Sequence, residues 1–387
     1  MTARVAARGG GIRARVGWLW DTHKSLTILV TWLLIGLALQ YLVLIPPLST
    51  FQPQIVWVNG FALSGIYILL ALGLNIVVGF AGLLDLGYAA FFAIGSYSFA
   101  LAASPQTITH LDVPFWPMLL VGAVIAALFG VLLGAPTLRL RGDYLAIVTL
   151  GFGEIVPAIF LNADTYTRGT NGIGGIAQPQ LPCIGDFCID FNFINPYPFY
   201  WTMIAILAVV MVFIYRLQGS RLGRSWMAIR EDELAAASSG INTITTKLLA
   251  FALGASTAGF AGVFNAAKLG NVDPNQFLFV VSFTVLAMVV LGGMGNIWGV
   301  VIGAFTLYTI QAVLLKQLNQ FFQGVGVPIL KDIDFVQYQF LLYGVALVAM
   351  MLLRPEGLFP STRRRRELHE DTAEETDVPP PTTEIGN

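Results

Sequence analysis

The chain has 387 residues, 56% of them hydrophobic and only 11% charged, with a mean hydropathy of +0.74 and a formal net charge of −1. Soluble domains carry about 25% charged residues, so the composition excludes an ordinary soluble globular protein and points to an all-α polytopic membrane protein. A net charge near zero argues against a nucleic-acid role.

In chain order, residues 1–25 form a basic segment with Arg4, Arg8, Arg13 and Arg15. No cleavable signal peptide is evident. The apolar run that follows, Leu26–Ile45, is longer than the roughly 7–15 residues of a signal core and reads as a first membrane helix. Nine further apolar segments are long enough to read as spans: Ile55–Leu74, Leu83–Ala103, Phe115–Ala135, Tyr144–Leu161, Phe199–Tyr215, Leu248–Ala267, Phe277–Leu291, Val300–Leu318 and Tyr338–Leu353. The third starts among glycines and an acid, and the eighth is short and Gly-bounded, so either is open to being a broken element. The transmembrane domain covers 26–360. Residues 361–387 begin with Arg363–Arg366, continue acidic and Pro-rich, and have too few apolar residues for a core. The Arg run suits anionic lipid.

Ten spans place both termini on one side, and basic residues choose the side. With the N-terminus inside, 17 of the 21 basic residues fall inside, leaving Arg168, Lys268, Lys316 and Lys331 outside or near the outer ends. The expected topology is N-in and C-in. Residues 162–198 then form an outer loop containing Thr170–Ile176 (TNGIGGI) and both cysteines, Cys183 and Cys188. In an oxidising compartment these could pair, and two free thiols is the equal alternative. With no histidine nearby they make a poor metal site.

Few polar groups interrupt the spans. Glu154 lies mid-span between Gly153 and Pro157, either on a translocation path or as a structural interhelical acid. Asn75 and Asp85 flank the Gly79–Gly82 turn, and Asp85 and Asp143 each read as helix N-caps. Gly254, Ala258 and Gly262, with Gly259 beside them, form a small-residue face for close helix packing. Val77–Tyr97 and Val289–Tyr308 share a Val-Val, Gly-cluster, span pattern, a candidate parallel repeat.

Inside, residues 216–247 enclose the polar island Arg221–Lys247. Its part Ile229–Gly240 (IREDELAAASSG) reads as one short helix, with acids at its N-terminus and Gly240 as its stop. Asn242 or Thr243 should cap the next helix. Such a segment is either an ordinary solvated loop or a docking surface for a soluble partner. The chain has no GxxxxGK[ST] phosphate loop, no HExxH and no GxSxG, so it lacks the motifs of an ATPase site or an enzyme. No cofactor is expected.

Five ordered stretches carry a family resemblance: Gly73–Tyr97, Leu138–Ile155, Thr170–Ile176, Gly223–Ser256 and Val289–Phe305. Together they resemble the permeases of branched-chain amino acid ABC importers, the LivM-like subunit in particular. The resemblance implies a homologous sister permease, two cytoplasmic ATPases that use the ATP, and an extracytoplasmic binding protein, in a bacterial or archaeal cytoplasmic membrane. Its coupling-loop pattern maps onto Glu233, Ala235, Ala236 and Gly240, within a coupling segment that also takes in Arg230, Glu231 and Asp232. The polar residues Asn75, Asp85, Glu154 and Asn171 are the candidates for the translocation path. Pro157 stands where the family often carries a basic residue, which leaves the partner of Glu154 open. Related permeases for urea or short-chain amides share these motifs. A stand-alone secondary transporter would need intramembrane ion-coupling groups, for which Glu154 is nearly the only candidate. A membrane scaffold without transport is the third reading.

Overall fold

The computed structural model describes residues 24–44, 53–109, 111–137, 143–180, 191–192, 195–317, 338–354 and 357–359. The basic N-terminal segment before residue 24, both cysteines, the Arg363–Arg366 run with tail 361–387, and the side chain of the expected cap Asp143 lie outside the described residues.

The protein is an all-α polytopic membrane protein. In order come α1 (Lys24–Leu42), α2 (Gln54–Leu74) continued by a π-helical turn (Asn75–Phe80), α3 (Tyr88–Ala103), α4 (Phe115–Thr137) and α5 (Asp143–Asn162). The segment between α5 and the next long helix holds α6 (Asp164–Thr167) and β1 (Ile173–Gly174). Then follow α7 (Tyr197–Gln218), α8 (Arg221–Glu231), α9 (Glu233–Ser238) and α10 (Thr243–Leu269). After β2 (Asn271–Val272) come a 3-10 turn (Pro274–Phe277), α11 (Phe279–Gly292), α12 (Ile297–Thr309) and α13 (Gln339–Leu353). Among the described residues, eight helices are long and apolar enough to cross a membrane, and Tyr88–Ala103 and Gln339–Met350 are shorter apolar helices. Each of the ten segments read from the sequence overlaps one of these.

Helix α10 is the hub, packed on α2, α3 and α4. The apolar effect does not drive helices together in lipid, so close backbone approach must. The small residues on α10 supply it on three faces. A Cβ added at Gly254 would lie 3.1 Å from the Gly73 carbonyl on α2. One at Gly259 would lie 2.6 Å from the Gly122 carbonyl on α4, and one at Gly262 would clash with the Phe92 carbonyl on α3. Hydrogen bonds lock these contacts. Tyr88 Oη donates to the Gly254 carbonyl at 2.8 Å, and Ser96 Oγ donates to the Gly262 carbonyl at 3.0 Å.

Two apolar helices, α3 (16 residues) and α13 (15 residues), fall short of a hydrocarbon core of about 30 Å at about 1.5 Å per residue. α11 (14 residues) reaches spanning length only with the 3-10 turn Pro274–Phe277 before it. Extended and turn backbone precedes α3. The third element therefore begins its helix at Tyr88, five residues after the expected Leu83. Irregular backbone survives at membrane depth when protein satisfies its polar groups. Here Thr149 Oγ1 accepts from Leu86 N–H at 3.1 Å, Asp85 Oδ1 from Gly87 N–H at 2.9 Å, and Ser282 Oγ from Ala89 N–H at 2.8 Å. The expectation that Asp85 caps α3 is corrected: it closes the turn before the helix, and Ser282 of α11 satisfies a first-turn donor from across the bundle.

The Val77–Tyr97 and Val289–Tyr308 stretches share a local plan. In each, a helix ends at a glycine turn with positive φ (Gly82, +69°; Gly293, +111°) and a new helix follows.

Before α7 and after α10, β1 and β2 pair antiparallel, Ile173 opposite Val272, both fully buried. This two-residue ladder clips TNGIGGI to the turn after α10. Ser104 Oγ donates to the Gly174 carbonyl at 2.6 Å and reinforces the clip.

Candidate functional site: the α8–α9 segment and the glycine turns

The polar island folds into two helices rather than one. Ser220 caps α8, its Oγ accepting from Gly223 N–H at 3.3 Å. α8 ends at Glu231, and Asp232 breaks the chain in extended geometry (φ −152°, ψ 112°). Its Oδ1 then accepts from Leu234 N–H at 2.8 Å and Ala235 N–H at 3.0 Å, capping α9. A short carboxylate side chain that can satisfy the free donors of a helix N-terminus competes with helix continuation. The expected single helix with three leading acids is therefore corrected. Glu231 closes one helix, Asp232 starts the next, and Glu233 is its first residue. Gly240 ends the segment at φ +85°, as its position suggested. Asn242, and not Thr243, caps α10, accepting from Thr245 N–H at 3.2 Å.

Two anchors hold the segment to the bundle. Trp226 is fully buried, and its Nε1 donates to the Thr246 carbonyl at 2.7 Å. Glu233 forms an ion pair of 2.6 Å with Lys247, whose side chain is almost wholly buried. With Ala236 packed inward, the free edge of α9 presents Leu234, 68% exposed, followed by exposed Ala235 and Ala237. Leu234 is the one large apolar side chain that α9 presents to solvent. Residue-type reasoning passed over it because one leucine among acids reads as filler.

Arg230 points the other way. Its guanidinium donates to the Gly79 carbonyl in the π-helical turn that ends α2. Asn75, at the start of that turn, is fully buried, and its Oδ1 accepts from Gly295 N–H at 2.8 Å. So the seven residues assigned to coupling divide: Asp232 and Glu233 shape and anchor α9, Ala236 packs inward, Gly240 ends the segment, Arg230 enters the bundle, and Glu231 and Ala235 are exposed.

The four residues assigned to the path also divide. Asn75 and Asp85 are fully buried inside the subunit, and Asn171 is exposed beside the β1–β2 clip. Asp85 borders a small cavity of about 10 Å³ with Thr137, Thr149, Phe152 and Phe251. That is room for about one water, not for an amino acid. Glu154 is exposed halfway along α5. Its placement follows from Gly153, which packs on Gly87 of the α3 lead-in with only 3.0 Å between its Cβ position and the Gly87 Cα. One residue further turns the side chain about 100° round the helix, away from the bundle. Glu154 joins Tyr144, Ile147 and Ile155 on one exposed face, where Gly151 has nothing within 4 Å of its Cβ position.

Among the described residues, no group of three or more His, Cys, Asp and Glu side chains is arranged to hold a metal ion.

Comparison with known proteins agrees with this architecture. Residues 56–352 match the family described as branched-chain amino acid transport system / permease component. The chain is 41% identical over 332 residues to the high-affinity branched-chain amino acid transport system permease protein LivM of Escherichia coli K12, covering 80% of this chain and 72% of that protein. It is 26% identical to a probable LivM permease of Methanocaldococcus jannaschii, covering 76% of this chain and 91% of that protein. It is 27% identical to the LivH permease of Escherichia coli K12, over 69% of this chain and 87% of that protein. No solved structure matches. The chain belongs to the family of permease components of branched-chain amino acid transport systems and is LivM-like within it.

Proposed function

We propose that this chain is one of two homologous membrane subunits of an ATP-driven importer for leucine, isoleucine and valine in a bacterial or archaeal cytoplasmic membrane. Two cytoplasmic ATPases dock on α8–α9, and a soluble binding protein delivers cargo to the opposite face. The 17-to-4 split of basic residues supports N-in, C-in, which puts α8–α9 in the cytoplasm. The likeness to both LivM and LivH suits a pair of related permeases.

The observation that carries the reading is the edge of α9. Leu234 stands out to solvent on a helix whose start is capped by Asp232 and whose flank is pinned by the Glu233–Lys247 ion pair. A rigid, short, small-residue helix with one apolar anchor fits a groove on a soluble partner. Closure of the ATPases then displaces α8–α9, and the helices rock between inward-open and outward-open forms.

The path runs along the exposed face of α5, between this subunit and its sister. A glutamate in hydrocarbon costs about 2.5–3.5 kcal/mol on insertion scales. Glu154 therefore faces a sister helix or an aqueous path rather than lipid.

Leu234→Asp tests the docking reading. Burying a leucine contributes about 1.5–3 kcal/mol, so its loss should weaken ATPase association at least about tenfold. The variant should still copurify with its sister permease. Full ATPase copurification at wild-type ratio contradicts the docking surface. Leu234 is a better probe than the three acids, because reversing Asp232 or Glu233 also removes a cap or the partner of a buried lysine.

A further inference from the structure

Arg230 sits in the segment assigned to docking, yet its side chain leaves the docking edge. It crosses 151 residues of sequence to donate to the Gly79 carbonyl. Its Cγ fills the space beside Gly82, 2.7 Å from where a Cβ would stand, and Gly82 has φ +69°. Both features bind α8 to the turn that ends α2. Carbonyls at a helix C-terminus lack intrahelical partners, and arginine satisfies them well. Two further anchors of the segment, Trp226 to Thr246 and Glu233 to Lys247, reach α10, the next helix in the chain.

The Gly79 turn is itself joined to a second turn. Asn75 Oδ1 accepts from Gly295 N–H at 2.8 Å, and a Cβ on Gly79 would lie 2.8 Å from that same nitrogen. Gln218 Nε2, at the end of α7, approaches the Gly295 carbonyl at 3.4 Å. One layer of polar contacts thus ties α8, the end of α2, the α11–α12 turn and the end of α7. The α2 end is a π-helical turn, a geometry that is rare and frequent at functional sites.

We propose that Arg230 is a positioning residue that carries movement of α8–α9 into the inner ends of α2 and α11–α12, and that it is not an ATPase contact. This rests on the reading of α8–α9 as the ATPase coupling segment. An arginine that ties α8 to the turn ending α2, a turn bonded to the α11–α12 turn through Asn75, makes these elements move together. Without it, α8–α9 can shift while the α2 end stays in place.

The test uses the whole transporter, purified with its ATPases and reconstituted with its binding protein. Arg230→Gln should copurify the ATPases at wild-type ratio and keep hydrolysing ATP, while leucine uptake per ATP falls about tenfold or more. Arg230→Lys keeps an N–H donor on a long stem and should recover part of the loss. Gly82→Ala pushes on the Arg230 stem without touching the guanidinium. It should uncouple in the same sense, and the double variant Arg230→Gln/Gly82→Ala should be no worse than the more severe single variant. An unchanged ratio of uptake to hydrolysis in Arg230→Gln overturns the proposal. So does loss of the ATPases from Arg230→Gln, which makes Arg230 a docking contact. If Arg230→Gln is poorly produced, Gly82→Ala decides the matter by the same ratio. A wild-type chain that copurifies no ATPase removes the underlying reading and this proposal with it.

Discussion

Asn75 and Gly295 lie 220 residues apart and meet in one buried hydrogen bond, Gly295 N–H donating to Asn75 Oδ1 at 2.8 Å. The bond joins the turn after α2 to the turn before α12, the two glycine-rich stretches whose sequences echo each other. Asn75→Leu keeps the volume and removes the acceptor. An unsatisfied buried donor costs about 1–3 kcal/mol, so the variant should unfold earlier in detergent thermal melts. A melting curve that overlays wild type would mean that Gly295 finds water or another acceptor.

The small-residue faces of α10 differ from the glycine on α5. Gly259→Val drives side-chain atoms into the Gly122 carbonyl and the Ala126 methyl, 2.6 and 2.7 Å from the Cβ position. Overpacking of this kind costs about 1–3 kcal/mol. Gly151→Ala meets nothing within 4 Å and should leave the melting of the isolated subunit unchanged. Equal effects of the two substitutions would contradict the packing described for α10.

Trp226 fixes the α8–α9 segment to the start of α10. Trp226→Ala empties a fully buried site, at a cost of about 3–5 kcal/mol, while Trp226→Phe loses the bond to Thr246 and about 1 kcal/mol. Limited proteolysis within 216–247 should accelerate in that order. Protection equal to wild type in Trp226→Ala would show that the segment is held by other contacts.

Glu154 separates a path from a lipid face. Glu154→Leu should lower leucine uptake at least several-fold, with subunit melting little changed. A lipid-facing glutamate would behave in the opposite way. Its replacement would raise stability by up to the 2.5–3.5 kcal/mol insertion penalty and leave uptake intact.

The helices were legible because hydropathy over about 20 residues reports what lipid demands of a chain. Caps at Gly240 and Asn242 were legible because they are local, set by residues within three or four positions. What periodicity missed is non-local. The glycines and Asp85 near Leu83 signal a broken start, but not where α3 begins, since Thr149 and Ser282, which stabilise the extended lead-in, lie 63 and 193 residues from their partners. The break at Asp232 was hidden because three consecutive acids look alike at a helix start, and only the side chain's bonds to Leu234 and Ala235 single out the cap. Arg230 and Leu234 sit four residues apart and face opposite ways, a division that composition cannot express.

The most direct measurement is uptake of labelled leucine by proteoliposomes holding this chain, its sister permease, the ATPases and the binding protein. The account predicts accumulation that needs ATP and every subunit, with urea a poor competitor. Leucine accumulation by this chain without ATP or ATPases, or urea carried in preference to leucine, would contradict it.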